Sequence, residues 1–272
     1  MSKIATTGIT DAQLERYARH VVLDEVGEEG QATLLASKVL VVGAGGLGAP
    51  LLMYLAAAGV GHIGVIDDDV VDLTNLQRQI IHSMDGLGRP KAESAVKAIA
   101  RLNPEVTVTA YEERLVPGNA AEIVAAYDMV VDGSDNFPTR YLLNDACFLA
   151  RKPLVSGALL RFEGQIATFR AWEDGEDRPC YRCLFPEPPP AGMVPRCEEA
   201  GIFGAVAGVI GSIQATEVLK ELLGLGDGLS GRMILFDALG GTFREMRAKR
   251  DPACALCGSQ PSITDLSGHA AA

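Results

Sequence analysis

The sequence predicts an α/β protein built on a Rossmann-like, doubly wound and mainly parallel sheet, and three observations carry that prediction. Short β-branched apolar runs alternate with helix-length stretches between residues 38 and 157. The first run, Val39-Leu40-Val41-Val42, feeds straight into Gly43-Ala44-Gly45-Gly46-Leu47-Gly48, the spacing of a phosphate-binding strand, turn and helix. The next run, Ile63 to Ile66, ends on Asp67, about twenty residues beyond Gly48, where such a fold sets a carboxylate against a ribose.

Taken in order, residues 11 to 36 read as helical, with Asp11 as a cap and Leu14, Tyr17, Ala18 and Val21 at helical spacing; this is an N-terminal helical arm over about 10–36. Strands are expected at 38–42, 62–66, 106–111, 128–132 and 153–157, with helices near 46–58, 90–102, 119–126 and 138–150. Beyond Gly157 the runs Gly164 to Arg170 and Arg232 to Asp237 lack short crossovers, which predicts antiparallel strands added at the C-terminal part of the sheet. Between them Pro186-Glu187-Pro188-Pro189-Pro190 fits neither helix nor central strand, so an exposed loop is expected over about 184–200. The apolar stretch from Ile202 to Leu223 is interrupted by glycines and by Ser212, Gln214, Thr216, Glu217 and Lys220, the pattern of a buried amphipathic helix rather than a membrane span. A flexible tail is expected over about 259–272, where residues are small and polar. With no second core and no internal repeat, residues 1–272 read as a single domain.

Composition narrows the function. The 272 residues, 48% of them hydrophobic, suffice for a sizeable core, and a net charge of -11 argues against a nucleic-acid partner, since phosphate backbones are gripped by positive surfaces. No charged-then-apolar leader precedes the first element, and no apolar run approaches the roughly twenty residues that span a bilayer, so a cytoplasmic protein without a membrane partner is expected.

The glycine loop assigns a nucleotide site to Gly43, Gly45, Gly46 and Gly48: one glycine for the tight turn, the middle ones for approach of backbone amides to an anion, the last for close packing of helix on strand. Glycines alone also suit a plain turn. After Asp67 the chain supplies Asn75, Gln77, Arg78, Arg89 and Lys91, which are phosphate ligands in type and otherwise a solvated surface cluster. A nicotinamide-dependent dehydrogenase would use the same fingerprint and Asp67 but would leave those side chains without a task. Of six cysteines, four form Cys180-Tyr181-Arg182-Cys183 and Cys254-Ala255-Leu256-Cys257, two CxxC pairs suited to one structural Zn2+ that staples segments about seventy residues apart; two redox disulfides are the alternative. Cys147 reads as a small core residue, and Cys197, beside Arg196 after the proline loop, as either a nucleophile or a loop cysteine without duty.

Together, Arg16-Tyr17-Ala18-Arg19-His20, the glycine loop, Asp67, Asn75-Leu76-Gln77-Arg78-Gln79, Lys91, Asp132-Gly133-Ser134-Asp135-Asn136 and both CxxC pairs resemble the MoeB/ThiF/HesA family, prokaryotic relatives of ubiquitin-activating enzymes, over about residues 10–258. The resemblance implies a homodimer that uses ATP and Mg2+ to adenylate the C-terminal glycine of a small ubiquitin-like sulfur carrier ending in Gly-Gly, with release of pyrophosphate. It further implies that Asp67 holds the ribose, that Asn75, Arg78 and Lys91 contact phosphates, that Asp135 binds magnesium, and that Arg19 reaches the partner subunit's ATP. For Asp135 a helix N-cap is the alternative, and for Arg19 an ordinary surface charge. The proline loop matches the segment over which the carrier's tail passes, with Cys197 a candidate for sulfur transfer. Leu154 to Ala158 and Arg161 to Ile166 look closer to the molybdopterin-synthase adenylyltransferase, while Asp67 to Val70 suits the thiamine-pathway member equally.

Overall fold

The computed structural model describes residues 8–175, 177–190, 192–193 and 197–269, with only the backbone of Cys197 and Glu198. The predicted arm is three helices rather than one: α1 (Asp11–Arg16), α2 (Ala18–Val21) and α3 (Gly27–Ala36). Tyr17 leaves helical geometry because its ring is buried and its hydroxyl accepts from Asn103 Nδ2 at 2.8 Å. Gly27 restarts the helix from a φ of 58°, a left-handed conformation that favours glycine.

The sheet follows. β1 (Lys38–Val42), α4 (Gly48–Ala58) and β2 (His62–Ile66) come first, then α5 (Lys91–Leu102), β3 (Thr107–Tyr111), α6 (Pro117–Ala125), β4 (Met129–Asp132), α7 (Phe137–Ala150) and β5 (Leu154–Leu160). After β6 (Glu163–Phe169) come α8 (Tyr181–Leu184), α9 (Cys197–Ala200), α10 (Gly204–Leu223), β7 (Arg232–Asp237) and β8 (Thr242–Arg247). The eight strands run in the order β3-β2-β1-β4-β5-β6-β7-β8; pairs from β3 to β5 are parallel and those from β5 to β8 antiparallel. The parallel half with antiparallel additions is as the sequence predicts. β8 is extra, an edge strand whose residues are all exposed and therefore carry no apolar alternation to read.

Alternation along each central strand splits the core into two layers. Val39 and Val41 face Leu51, Leu52 and Leu55 of α4, Ala95 and Ile99 of α5 and Val218 of α10, whereas Leu40 and Val42 face Ile123 and Val124 of α6 and Tyr141, Leu142 and Leu143 of α7. Because β1 lies between β2 and β4, the chain reverses its direction of travel across the sheet there, and a crevice opens at the carboxyl ends of those strands.

Residues 259–269 are not the free tail that their composition suggests. Leu266 is buried in the α7 layer, Ser262 and Ile263 both donate backbone N–H to Ala255 O, and His269 Nε2 lies 2.8 Å from Asp145 Oδ2. Small polar residues hide this docking because it rests on backbone bonds, one imidazole and the isolated apolar side chains of Ile263 and Leu266; residues 270–272 lie outside the described residues. Among the described residues, no helix is long and apolar enough to cross a membrane.

Candidate functional site

At the crevice, Gly43 turns with φ of 95°, and a β-carbon there would stand 2.8 Å from Gly133 O, so the glycine loop and the loop after β4 lie in contact. At Gly48 a β-carbon would collide with the Gly43 carbonyl, so only glycine lets α4 begin this close to β1. Asp67, at the end of β2, is tied into the loop: its Oδ2 accepts from Ala44 N at 2.8 Å and its Oδ1 from Asp69 N at 2.9 Å. Burial raises its pKa above the usual carboxylate range, opposed by the charge of Lys91 and by these two N–H donors.

Residues 72–82 run over the glycine loop as a chain of tight turns. Asp72 and Asn75 cap one another, the Asp72 side chain accepting from Thr74 N and Asn75 Oδ1 accepting from Asp72 N. The stem of Arg78 packs on Gly46, 3.5 Å from the position a β-carbon would take, and its guanidinium donates to Thr74 O. His82, buried, closes the run. Its Nε2 lies 2.9 Å from Ala44 O, and since a carbonyl only accepts, that nitrogen carries the proton while Nδ1 meets Ser94 Oγ. Lys91 opens α5 with its ammonium 2.8 Å from Asp69 Oδ2. Arg89 faces Glu93 at the surface instead.

Asp135 follows β4 on the other side of Gly43. The N-cap alternative for it is ruled out, because Asn136 caps α7 by accepting from Thr139 N at 2.9 Å. Asp135 is exposed, and its carboxylate makes no hydrogen bond or ion pair among the described residues. The loop beneath it rests on Asp132, fully buried, whose Oδ1 accepts from Ser134 N and Oγ and whose Oδ2 accepts from Arg140 Nε and Ser156 Oγ. Arg140 also donates to Ser134 O and Gly157 O. Neither His82 nor the Asp132–Arg140 pair was singled out from the sequence; a lone histidine and a charged pair eight residues apart carry no pattern until folding joins them.

The structure thus brings the glycine loop, Asp67, Asn75, Arg78, Lys91 and Asp135 to one edge. Arg19 is not among them. It is exposed on α2, beside Tyr17, whose ring packs against Gly59 just past the far end of α4 from the glycine loop.

The four CxxC sulfurs form a second cluster, all within 4.8 Å of one another. The Sγ separations of 3.8 Å (Cys180–Cys183), 3.5 Å (Cys180–Cys254) and 3.3 Å (Cys183–Cys257) exceed a disulfide bond of about 2.05 Å. They match the spacing of about 3.8 Å that four zinc bonds of about 2.3 Å require in a tetrahedron. Hydrogen bonds among the thiols pull Cys183 down to about 7 and Cys254 lower while pushing Cys180 and Cys257 up, so without a metal the four sulfurs share protons between two that favour thiolate and two that keep the thiol. Cys147 is a buried core residue, its thiol pushed up by burial. The side chain of Cys197 lies outside the described residues.

Comparison with known proteins gives these positions a relationship. Residues 17–256 match the model of the ThiF family. The sulfur carrier protein adenylyltransferase of Thermus thermophilus is 52% identical over 258 residues, 94% of this chain and 95% of that protein. The SAMP-activating enzyme E1 of Haloferax volcanii is 52% identical over 263 residues, covering 96% of each. The crystal structure of E. coli MccB with MccA-N7isoASN superposes with a TM-score of 0.77 over 90% of this chain and 75% of that one, at 23% identity, a likeness of fold. A match spanning nearly the whole described chain, shared with relatives at half identity, makes this protein a member of the ThiF family.

Proposed function

We propose that the protein is an ATP-dependent adenylyltransferase that activates the C-terminal glycine of a small ubiquitin-like sulfur carrier ending in Gly-Gly as an acyl-adenylate, releasing pyrophosphate. The observation that carries this reading is the single crevice edge on which β2, β1 and β4 set an acceptor for a ribose, a glycine loop, two cationic side chains and an unpartnered carboxylate. Relatives of equal length bearing adenylyltransferase and activating-enzyme names support it.

The carrier's terminal carboxylate oxygen bonds to the α-phosphorus of ATP while the bond from that phosphorus to the bridging oxygen of pyrophosphate breaks, so no protein nucleophile is required. Asp67 keeps lone pairs beyond its two backbone donors and accepts from ribose hydroxyls. Backbone amides at Gly45 and Gly46 face the phosphates, with Asn75, Arg78 and Lys91 as their side-chain contacts. Lys91 exchanges its solvent-exposed Asp69 partner for phosphate, since ion pairs with an exposed member hold weakly. Asp135 suits Mg2+, a hard ion that takes one carboxylate together with phosphates; when bound, it offsets charge on the departing pyrophosphate. Cys180, Cys183, Cys254 and Cys257 would hold Zn2+ with four sulfur ligands, as a structural ion that would contribute to folding and not to the chemistry.

Arg19, remote from its own crevice, serves a homodimer in which it reaches the other subunit's nucleotide. The antiparallel end of the sheet exposes Leu239 (76%) and Phe243 (55%), the latter stacked on Phe236, apolar surface that supports a protein partner rather than a small substrate. The carrier's tail passes the segment 184–200 on its way to the nucleotide. The carrier is the small subunit of molybdopterin synthase, on the wording of residues 154–166, with the thiamine-pathway carrier as the alternative; the protein works in the cytoplasm without nucleic-acid or membrane partners.

Pyrophosphate exchange into ATP, measured with a panel of carriers, tests the reading. Carriers ending in Gly-Gly should stimulate exchange and the same carriers lacking the last glycine should not. Preference for NAD over Mg·ATP in binding, or exchange indifferent to every carrier, overturns it.

A further inference from the structure

Past Cys257 the chain crosses from one cysteine pair toward the other. Residues 259–269 form no helix or strand, yet they are fastened along their length. Ser259 N and Oγ donate to Pro252 O, and Ser262 N and Ile263 N both donate to Ala255 O, the carbonyl next after Cys254. Ile263 packs into the apolar cluster that contains all four cysteines, joining Ala171, Phe148 and Leu256 around the sulfurs. Leu266 then enters the α7 layer, and His269 reaches Asp145, the fully buried carboxylate that already holds Arg182 from between Cys180 and Cys183. The segment thus starts on one cysteine pair and is anchored, through Asp145, to the other. Its hold is slight for its length: of these residues only Leu266 is buried, Ile263 and His269 are half-buried, and the rest are exposed.

We propose that residues 259–269 are a strap closed over the metal site, whose lifting, rather than unfolding of the whole chain, sets how fast Zn2+ enters or leaves. The inference rests on the four cysteines holding Zn2+. Removing a metal requires a competing ligand to approach the ion as the sulfurs let go, and apolar packing on those sulfurs denies it that approach. A segment held by a few side chains and backbone bonds opens at a small part of the free energy that unfolds the core. Ile263 is the strap's contact with the cysteine cluster, whereas Leu266 and His269 are its fastenings on α7. Loosening the fastenings therefore uncovers the metal without altering a ligand.

Transfer of Zn2+ from the loaded protein to excess pyridylazoresorcinol, followed with time, tests the strap in wild type, in Leu266→Ala/His269→Ala and in a chain stopped after Gly258. Both variants should release Zn2+ about tenfold faster than wild type, a larger gain than any in their rate of global unfolding in urea followed by circular dichroism. In protein stripped of metal, alkylation of the four cysteines by iodoacetamide, read by mass spectrometry, should quicken in the same two variants. Release within about twofold of wild type in both variants, release that rises only in step with global unfolding, or failure of both variants to fold overturns the proposal. If the wild-type protein takes up no Zn2+, the metal-site reading beneath it falls, and the alkylation rates alone then decide whether the strap covers the sulfurs; equal rates in all three proteins show that it does not.

Discussion

Asp135 and His82 represent two ways a side chain serves this crevice. Asp135 is exposed and unpartnered among the described residues, so nothing in the fold depends on it. Asp135→Asn is therefore expected to cut carrier-dependent pyrophosphate exchange by about a hundredfold while the Tm stays at the wild-type value, as seen in calorimetry alongside the exchange assay. His82 is the converse, a buried ring that holds the loop by its Ala44 carbonyl. Burial lowers its pKa, helped by the positive charge of Lys91 and opposed by the Ala44 bond. In the unfolded chain it titrates near about 6.5, so below that pH the unfolded state takes up a proton that the folded state refuses. Stability present above that value is thus lost as the pH falls toward the depressed folded pKa. Thermal melts at about pH 7.5 and about pH 5.5 should show a fall in Tm that is smaller in His82→Asn.

Helix α7 joins the two clusters. Its first turn follows Asp135, its second carries Arg140 beneath the same loop, and its third presents Asn144, which accepts from Tyr181 N, and Asp145, which takes Arg182 in a two-pronged pair at 2.8 and 2.7 Å. Tyr181 and Arg182 are the two residues between the first pair of cysteines. The cysteine cluster is thereby braced against the helix that bears the crevice loop. Asp145 is fully buried, so Arg182→Ala, by stranding its carboxylate with only Asn144 and His269, should cost about 3 kcal/mol in urea unfolding. Arg182→Lys should recover only part of that, since an ammonium cannot form the fork. The helical arm was readable as helix but not as three pieces: apolar spacing marks which face is buried, whereas the breaks come from Tyr17 docking and from the backbone of Gly27.

For the whole molecule, the position of Arg19 decides whether one chain suffices. It lies near the end of α4 remote from the glycine loop, and an eleven-residue helix is about 16 Å long. If Arg19 acts across a homodimer, Arg19→Ala and Asp135→Ala subunits, each inactive alone, should regain part of the exchange activity when mixed, because one of the two crevices in the heterodimer is then whole. No recovery in a heterodimer verified by native mass spectrometry excludes that geometry. A net charge of -11 fits the same arrangement: the cations that an anionic nucleotide needs are held at the crevice rather than spread over the surface.

The sequence by itself determined the parallel half of the sheet, the glycine loop with its Asp67, and the pairing of four cysteines, because each rests on local spacing: short continuous apolar runs, glycines at fixed offsets, two residues between thiols. It also supplied the family, since those motifs follow one another in a fixed order. Only the tertiary structure decided that Asn136 rather than Asp135 caps α7, that the segment 259–269 docks on Asp145, that β8 exists, and that His82 and Gln79 flank the glycine loop. Apart from the cap, which is local but could fall on either of two adjacent capping residue types, these are contacts between positions far apart in the chain, or on exposed strands, where neither periodicity nor residue type records the neighbour that folding will supply.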